Sequence, residues 1–144
     1  MNAPHGLERF VAAQEGDYEA ALREITAGRK RTHWMWYIFP QLDGLGSSSM
    51  ARQYAIKNAD EARAYLAHPI LGERLQTCAR AALAHGEKSA TEIFGTPDDL
   101  KLRSSATLFA AVSEEGSVFH RLLTRFYPGG ADPATLRLLG GGID

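Results

Sequence analysis

His33-Trp34-Met35-Trp36-Tyr37-Ile38-Phe39-Pro40 is the stretch on which the fold class turns. It is apolar on every side, so its pattern fits a buried strand as well as a short buried helix. Pro40 bounds it, because a proline disfavours helical backbone at the residue before it. The flanks speak for helices. Upstream, Asp17 stands as an N-cap before Tyr18, Ala21, Leu22 and Ile25 on one face, and Gly28 closes that helix. Arg29-Lys30-Arg31 follows at once, where cations complement the negative end of the helix dipole. Downstream, residues 41–49 hold two glycines and three serines and read as a loop. One of Ser47, Ser48 or Ser49 then caps a short helix containing Met50, Tyr54 and Ile56.

Further out, start and stop signals recur. Leu7, Phe10 and Val11 have helical spacing before Gly16. Asn58 with Glu61 and Ser89 with Glu92 have capping-box spacing. Pro69 suits a first turn before the stripe Leu71, Leu75, Cys78 and Ala82. Thr96-Pro97-Asp98-Asp99 combines a cap, a first-turn proline and two acids ahead of a helix reaching about Val112. Phe119, Leu122, Leu123 and Phe126 stripe the next one, and Asp132-Pro133 starts the last. Long alternating runs are missing. The expected fold is all-α, a compact single domain of 1–144 with an ordered core of 7–139. It has about seven short helices and one short extended segment near 34–39.

Composition sets the outer bounds. The chain has 144 residues, 44% hydrophobic and 23% charged, as in one ordinary globular domain. The formal net charge of -1 lacks the basic excess of a phosphate-directed nucleic-acid binder. One cysteine, Cys78, allows neither an internal disulfide nor a multi-cysteine zinc site, and its place in an apolar stripe marks a buried thiol. The start Met1-Asn2-Ala3-Pro4-His5-Gly6 has no secretory character, and no apolar run has membrane-spanning length. A cytoplasmic location is therefore expected, with no cofactor implied.

Chemistry concentrates in two segments. Trp34 and Trp36 stand beside Arg29 and Arg31, so an aromatic face for a ring and cations for a phosphate lie close together. The competing reading is a plain core segment. His33 is the acid–base candidate by location, although a lone histidine is more often a structural, hydrogen-bonded residue. Gln41 adds a polar amide beside a glycine-containing loop that can bring N–H groups near an anion. In the second segment Lys101, Ser104 and Ser105 are spaced i, i+3, i+4, so one helix face can present all three; a small-residue helix contact is the alternative. His33 and the 101–105 turn are expected to converge on one pocket, the alternative being a solvated Lys101 paired with Asp98. No G-x-G-x-x-G, P-loop, G-x-S-x-G or H-x-x-x-H pattern is present.

The run from Gly28 to Leu42, with His33-Trp34-Met35-Trp36 and Phe39-Pro40-Gln41 at its centre, closely resembles the signature of the domain-of-unknown-function 1810 family. Gly44-Leu45-Gly46-Ser47-Ser48, Tyr54-Ala55-Ile56, His68-Pro69, Phe94-Gly95 and Lys101-Leu102-Arg103-Ser104-Ser105 continue the resemblance. It implies an all-helical single-domain fold and brings no established activity. Members are often labelled calpastatin-like in bacterial genomes, but a calpain inhibitor acts through disordered repeats, which this composition lacks. The helical layout is also similar to small domains linked to NAD and ADP-ribose metabolism, with no catalytic residue that maps across, so this is analogy only.

Two functions are weighed. One is a small-molecule pocket for a nucleotide-like or phosphorylated ligand, related to NAD or ADP-ribose, with glycosidic or ADP-ribosyl hydrolysis as the reaction. There Trp34 or Trp36 stacks, Arg29, Arg31 and Lys101 neutralise charge, and His33, Gln41, Ser104 and Ser105 orient polar groups. The other is a non-catalytic module that binds a protein through an exposed aromatic segment. A concave pocket lined by His33 and Lys101 favours the first; a flat exposed tryptophan patch favours the second.

Overall fold

Short polar side chains at helix starts set half of the helices in the computed structural model, which describes residues 6–140. Helices α1 (Glu8–Gln14) and α2 (Tyr18–Ala27) open the chain, followed by the short α3 (Met35–Ile38) and α4 (Ser49–Gln53). Then come α5 (Ala59–Ala67), α6 (Leu71–Leu83), α7 (Ala90–Phe94), α8 (Asp98–Ala111), α9 (Val118–Phe126) and α10 (Pro133–Leu138). The described residues thus form ten helices and no strand, more than the seven expected, because α3, α4 and α7 are only one turn or so long. Ser48, Asn58, Ser89, Ser117 and Asp132 each accept the backbone N–H three residues on. Ser89 and Glu92 complete a reciprocal capping box.

Of the two conformations open to the stretch near 34–39, the structure has the helix, at Met35–Ile38. Ile38 N–H donates to the Trp34 carbonyl at 3.2 Å and Phe39 N–H to that of Met35 at 3.1 Å. A buried turn satisfies its own backbone, whereas a lone extended segment in the interior leaves polar groups without a partner strand. Extended pairing occurs nearby instead. Leu42 and Ile56 form an isolated parallel bridge, with Ile56 N–H donating to the Gln41 carbonyl and Asp43 N–H to that of Ile56, both at 2.8 Å. That pairing takes Ile56 out of the expected helix, which ends at Gln53.

Three expected capping contacts form otherwise; Thr96 does not cap α8, its hydroxyl donating to Asp99 Oδ1 at 3.2 Å. Asp17 makes no cap; its carboxylate accepts the Tyr37 hydroxyl and so ties α2 to α3. Glu61 accepts Lys57 N–H at 2.7 Å, so only half of its box with Asn58 forms.

Helices α5 and α9 each lie against both α6 and α8 and join them around the core. Helix α2 covers α6, α7 and α10 cover α8, and α3 sits between α1 and α6. A Cβ on Gly72 would stand 2.0 Å from the Leu66 carbonyl oxygen, so only glycine permits the approach of α5 and α6 there. Aromatic rings cross the interior from Phe10 to Tyr65 (5.1 Å), to Phe109 (5.4 Å) and to Phe119 (5.6 Å). The sequence stripes place Leu75 and Phe119 in this core, and they are 1% and 3% exposed.

Truncation of either side chain leaves a cavity in close-packed surroundings. Leu75→Ala and Phe119→Ala should each cost about 2–5 kcal/mol in urea unfolding. Losses near zero at both positions would contradict the assigned helix faces.

Candidate functional site

The site is assembled around one carboxylate. Gly28 ends α2 in left-handed backbone, at φ +85°, which L side chains rarely adopt. The chain then doubles back beside α2, and Glu24 gathers it. Its Oε1 accepts from Arg31 N–H (2.9 Å), Thr32 N–H (3.1 Å) and the Trp34 indole N–H (2.9 Å). Its Oε2 accepts the Thr32 hydroxyl at 2.7 Å. Burial pushes the Glu24 pKa upward, but the bonds from Arg31, Thr32 and Trp34 prevail and hold it at about 2. Lys30 N–H adds a tie to the Ile93 carbonyl on α7, at 2.7 Å.

Two lysines then meet one acid. The Lys30 ammonium lies 2.9 Å from Asp98 Oδ2, donates to the Thr32 carbonyl at 2.6 Å and sits 4.9 Å from the Trp34 ring centre. The Lys101 ammonium lies 3.4 Å from Asp98 Oδ1 and 5.4 Å from the Trp36 ring centre. The inner set is closed, the Lys30 side chain being 6% exposed; the outer set is open, with Lys101 at 29%.

Two depressions flank the outer set. The first, about 230 Å³, has apolar walls including Trp36, Phe39, Leu42 and Tyr54, with Gln41 and Ser47 among its polar lining. The second, about 340 Å³, is lined by Lys30, Arg31, His33, Asp98 and Lys101, among others. Met35, Trp36 and Lys101 belong to both. Together the chambers match the scale of small-molecule sites, roughly 300–1,000 Å³. What the arrangement offers is an apolar slot for a ring next to a cationic slot for an oxyanion.

The expected site residues divide accordingly. Arg31, His33, Trp36, Gln41 and Lys101 line the cleft. His33 and Lys101 share the second chamber, and Lys101 also contacts Asp98, so both readings of that lysine coexist. Trp34 does not offer a stacking face: it is 1% exposed, with its N–H committed to Glu24. Arg29 is exposed but lines neither chamber. Ser104 and Ser105 lie outside the cleft as well. They sit a helical turn beyond Lys101, about 5 Å along α8, where α10 and the core cover the helix. Ser104 Oγ is within 3.3 Å of the Leu100 carbonyl and 3.4 Å of the Asp132 carboxylate, while Ser105 is fully buried with no partner for its hydroxyl.

Sequence reading left Glu24, Asp98 and Tyr54 out of the site. The i, i+3 spacing of Asp98 and Lys101 was a usable signal. Glu24 gave none, since three of its four donors are backbone or loop groups seven or eight residues on. Cys78 is buried, and burial pushes its thiol up to about 12, so it has no reactive character. Among the described residues no cluster of three metal-ligating side chains occurs, and no helix is long and apolar enough to cross a membrane.

Comparison with known proteins agrees with the fold. A family described as "Protein of unknown function (DUF1810)" matches residues 4–139. Among solved structures, the crystal structure of the conserved hypothetical protein Rv1873 from Mycobacterium tuberculosis is similar, with 49% identity and a TM-score of 0.93. That match covers 96% of this chain and 99% of the other. No curated protein matches.

The Glu24 geometry dictates a pH dependence. Its pKa falls from 4.5 to about 2 on folding, so its stabilisation is complete above pH 4.5 and is lost as pH falls through about 2. A shift of this size corresponds to about 3 kcal/mol. The stability difference between the native chain and Glu24→Gln in urea unfolding should therefore shrink between pH 4.5 and pH 2. A difference equal at both ends would contradict the assignment.

Proposed function

Since the chain belongs to this family of unknown function, we propose from the site alone that it binds a nucleotide-like or phosphorylated small molecule in the cleft around Trp36. The carrying observation is Lys101, a half-exposed cation seated over the Trp36 ring in the wall that an apolar and a basic chamber share. A ring and an oxyanion joined in one ligand match that pairing, because an aromatic face takes the ring while ammonium and guanidinium groups take the charge. ADP-ribose, NAD and simple nucleotides carry both parts.

Glycosidic or ADP-ribosyl hydrolysis is the reaction proposed for the site. Water adds to the anomeric carbon, the glycosidic bond breaks, and the leaving group takes a proton. His33, exposed in the basic chamber, is the acid–base group by position, and Asp98 is a carboxylate facing the same space. A non-catalytic protein-binding role has less support. Trp34, Tyr37 and Phe39 are buried, and Trp36 lies in a concavity rather than on a flat patch.

Calorimetry with ADP-ribose, NAD, ADP and AMP should give binding to at least one, with a change in tryptophan fluorescence. Lys101→Met should weaken it about tenfold, the equivalent of 1.4 kcal/mol. If no compound in this panel binds at millimolar concentration, the nucleotide reading is dropped.

A further inference from the structure

Resting on that reading, we infer that the ligand straddles Trp36 and Lys101, its ring in the apolar chamber and its phosphate in the basic one. We further infer that Asp98 is a resident counter-anion which the phosphate displaces from Lys101. The ligand class is thereby narrowed to a heteroaromatic ring joined through a sugar-length spacer to a terminal phosphate. A phosphorylated sugar alone, or a free nucleoside, fills only half of the cleft.

The first support is the shared wall. Met35, Trp36 and Lys101 line both chambers, so the two are neighbours across a thin partition rather than separate hollows. The polar groups are sorted between them. The apolar side carries Gln41, whose amide holds a donor and an acceptor side by side and suits the edge of a base. The other side carries Arg31 and His33, which with the shared Lys101 suit an oxyanion.

The second support is the inequality of the two lysines on Asp98. Lys30 is enclosed and held three ways, by Asp98 Oδ2, by the Thr32 carbonyl and by the Trp34 ring. Its charge is already spent within the protein. Lys101 contacts the other carboxylate oxygen at 3.4 Å, against 2.9 Å for Lys30, and is far more exposed. An ion pair of that kind is weak. A phosphate, with more charge and more acceptor oxygens than a carboxylate, competes well for it. When Lys101 turns to the ligand, Asp98 keeps Lys30 and is not left unpaired. Asp98 therefore holds Lys101 in the ligand-free protein and competes with a bound phosphate for it.

This assignment gives Asp98 an unusual sign. Calorimetry with AMP, adenosine and ribose 5-phosphate should show Asp98→Asn binding AMP at least threefold more tightly than the native chain. Asparagine retains an oxygen for Lys30, and a thermal unfolding curve checks that the variant is folded. Adding Lys101→Met should abolish that gain and bring AMP down to the affinity of adenosine. Gln41→Leu should weaken AMP and adenosine together while sparing ribose 5-phosphate. If AMP binds but folded Asp98→Asn binds it more weakly than the native chain or equally, the counter-anion role is overturned while nucleotide binding stands. If the Asp98→Asn variant does not fold, the retained AMP-over-adenosine preference of Lys101→Met alone overturns the straddling pose, and its loss supports it. If none of the three probes binds the native chain, the inference and the nucleotide reading both fall.

Discussion

A buried carboxylate that forms no ion pair among the described residues holds the candidate site of this protein in place. Glu24 accepts hydrogen bonds from two backbone N–H groups, a hydroxyl and an indole, all from residues 31–34. Removing a carboxylate from water is costly, and only a full set of donors offsets it. The depressed pKa shows that the donors win. The consequence reaches well beyond the turn. Trp34 is fixed as the residue from which α3 starts, α3 seats against α1 and α6, and Trp36 is thereby presented opposite Lys101.

The same chemical pair appears twice along this path and does two jobs. Lys30 over Trp34 is sealed inside and works as structure. Lys101 over Trp36 is open to two chambers and works as a candidate binding element. Residue type does not distinguish the pairs; exposure does. Asp98 bridges them, one oxygen to each lysine, so the structural pair holds the orientation of the acid that faces the open one.

What the sequence discloses follows from the range of the interactions. Caps at Ser48, Asn58, Ser89, Ser117 and Asp132 are local and legible, because the side chain meets a backbone N–H only three residues away. The buried stripe through Leu75 is legible for the same reason. Asp17 misleads, since a distant Tyr37 hydroxyl outcompetes its own helix. At α3 periodicity had nothing to report, all sides being buried. The unusual run at 33–41 and the cation at 101 marked the cleft, yet spacing alone assigned Ser104 and Ser105 to it, when Ser104 faces Asp132 at the start of α10 and Ser105 is buried in the core. Which tryptophan is free depends on Glu24, a tertiary fact that no local pattern encodes.

The two indoles provide the most direct measurement. In a proton–nitrogen correlation spectrum their N–H signals are separate reporters of the sealed ring and the open one. Titration with AMP should move the Trp36 indole signal progressively, together with the Gln41 side-chain amide, while the Trp34 indole signal stays within its linewidth. A Trp34 signal that moves as far as that of Trp36, or a Trp36 signal that stays fixed while AMP binds, would contradict the account.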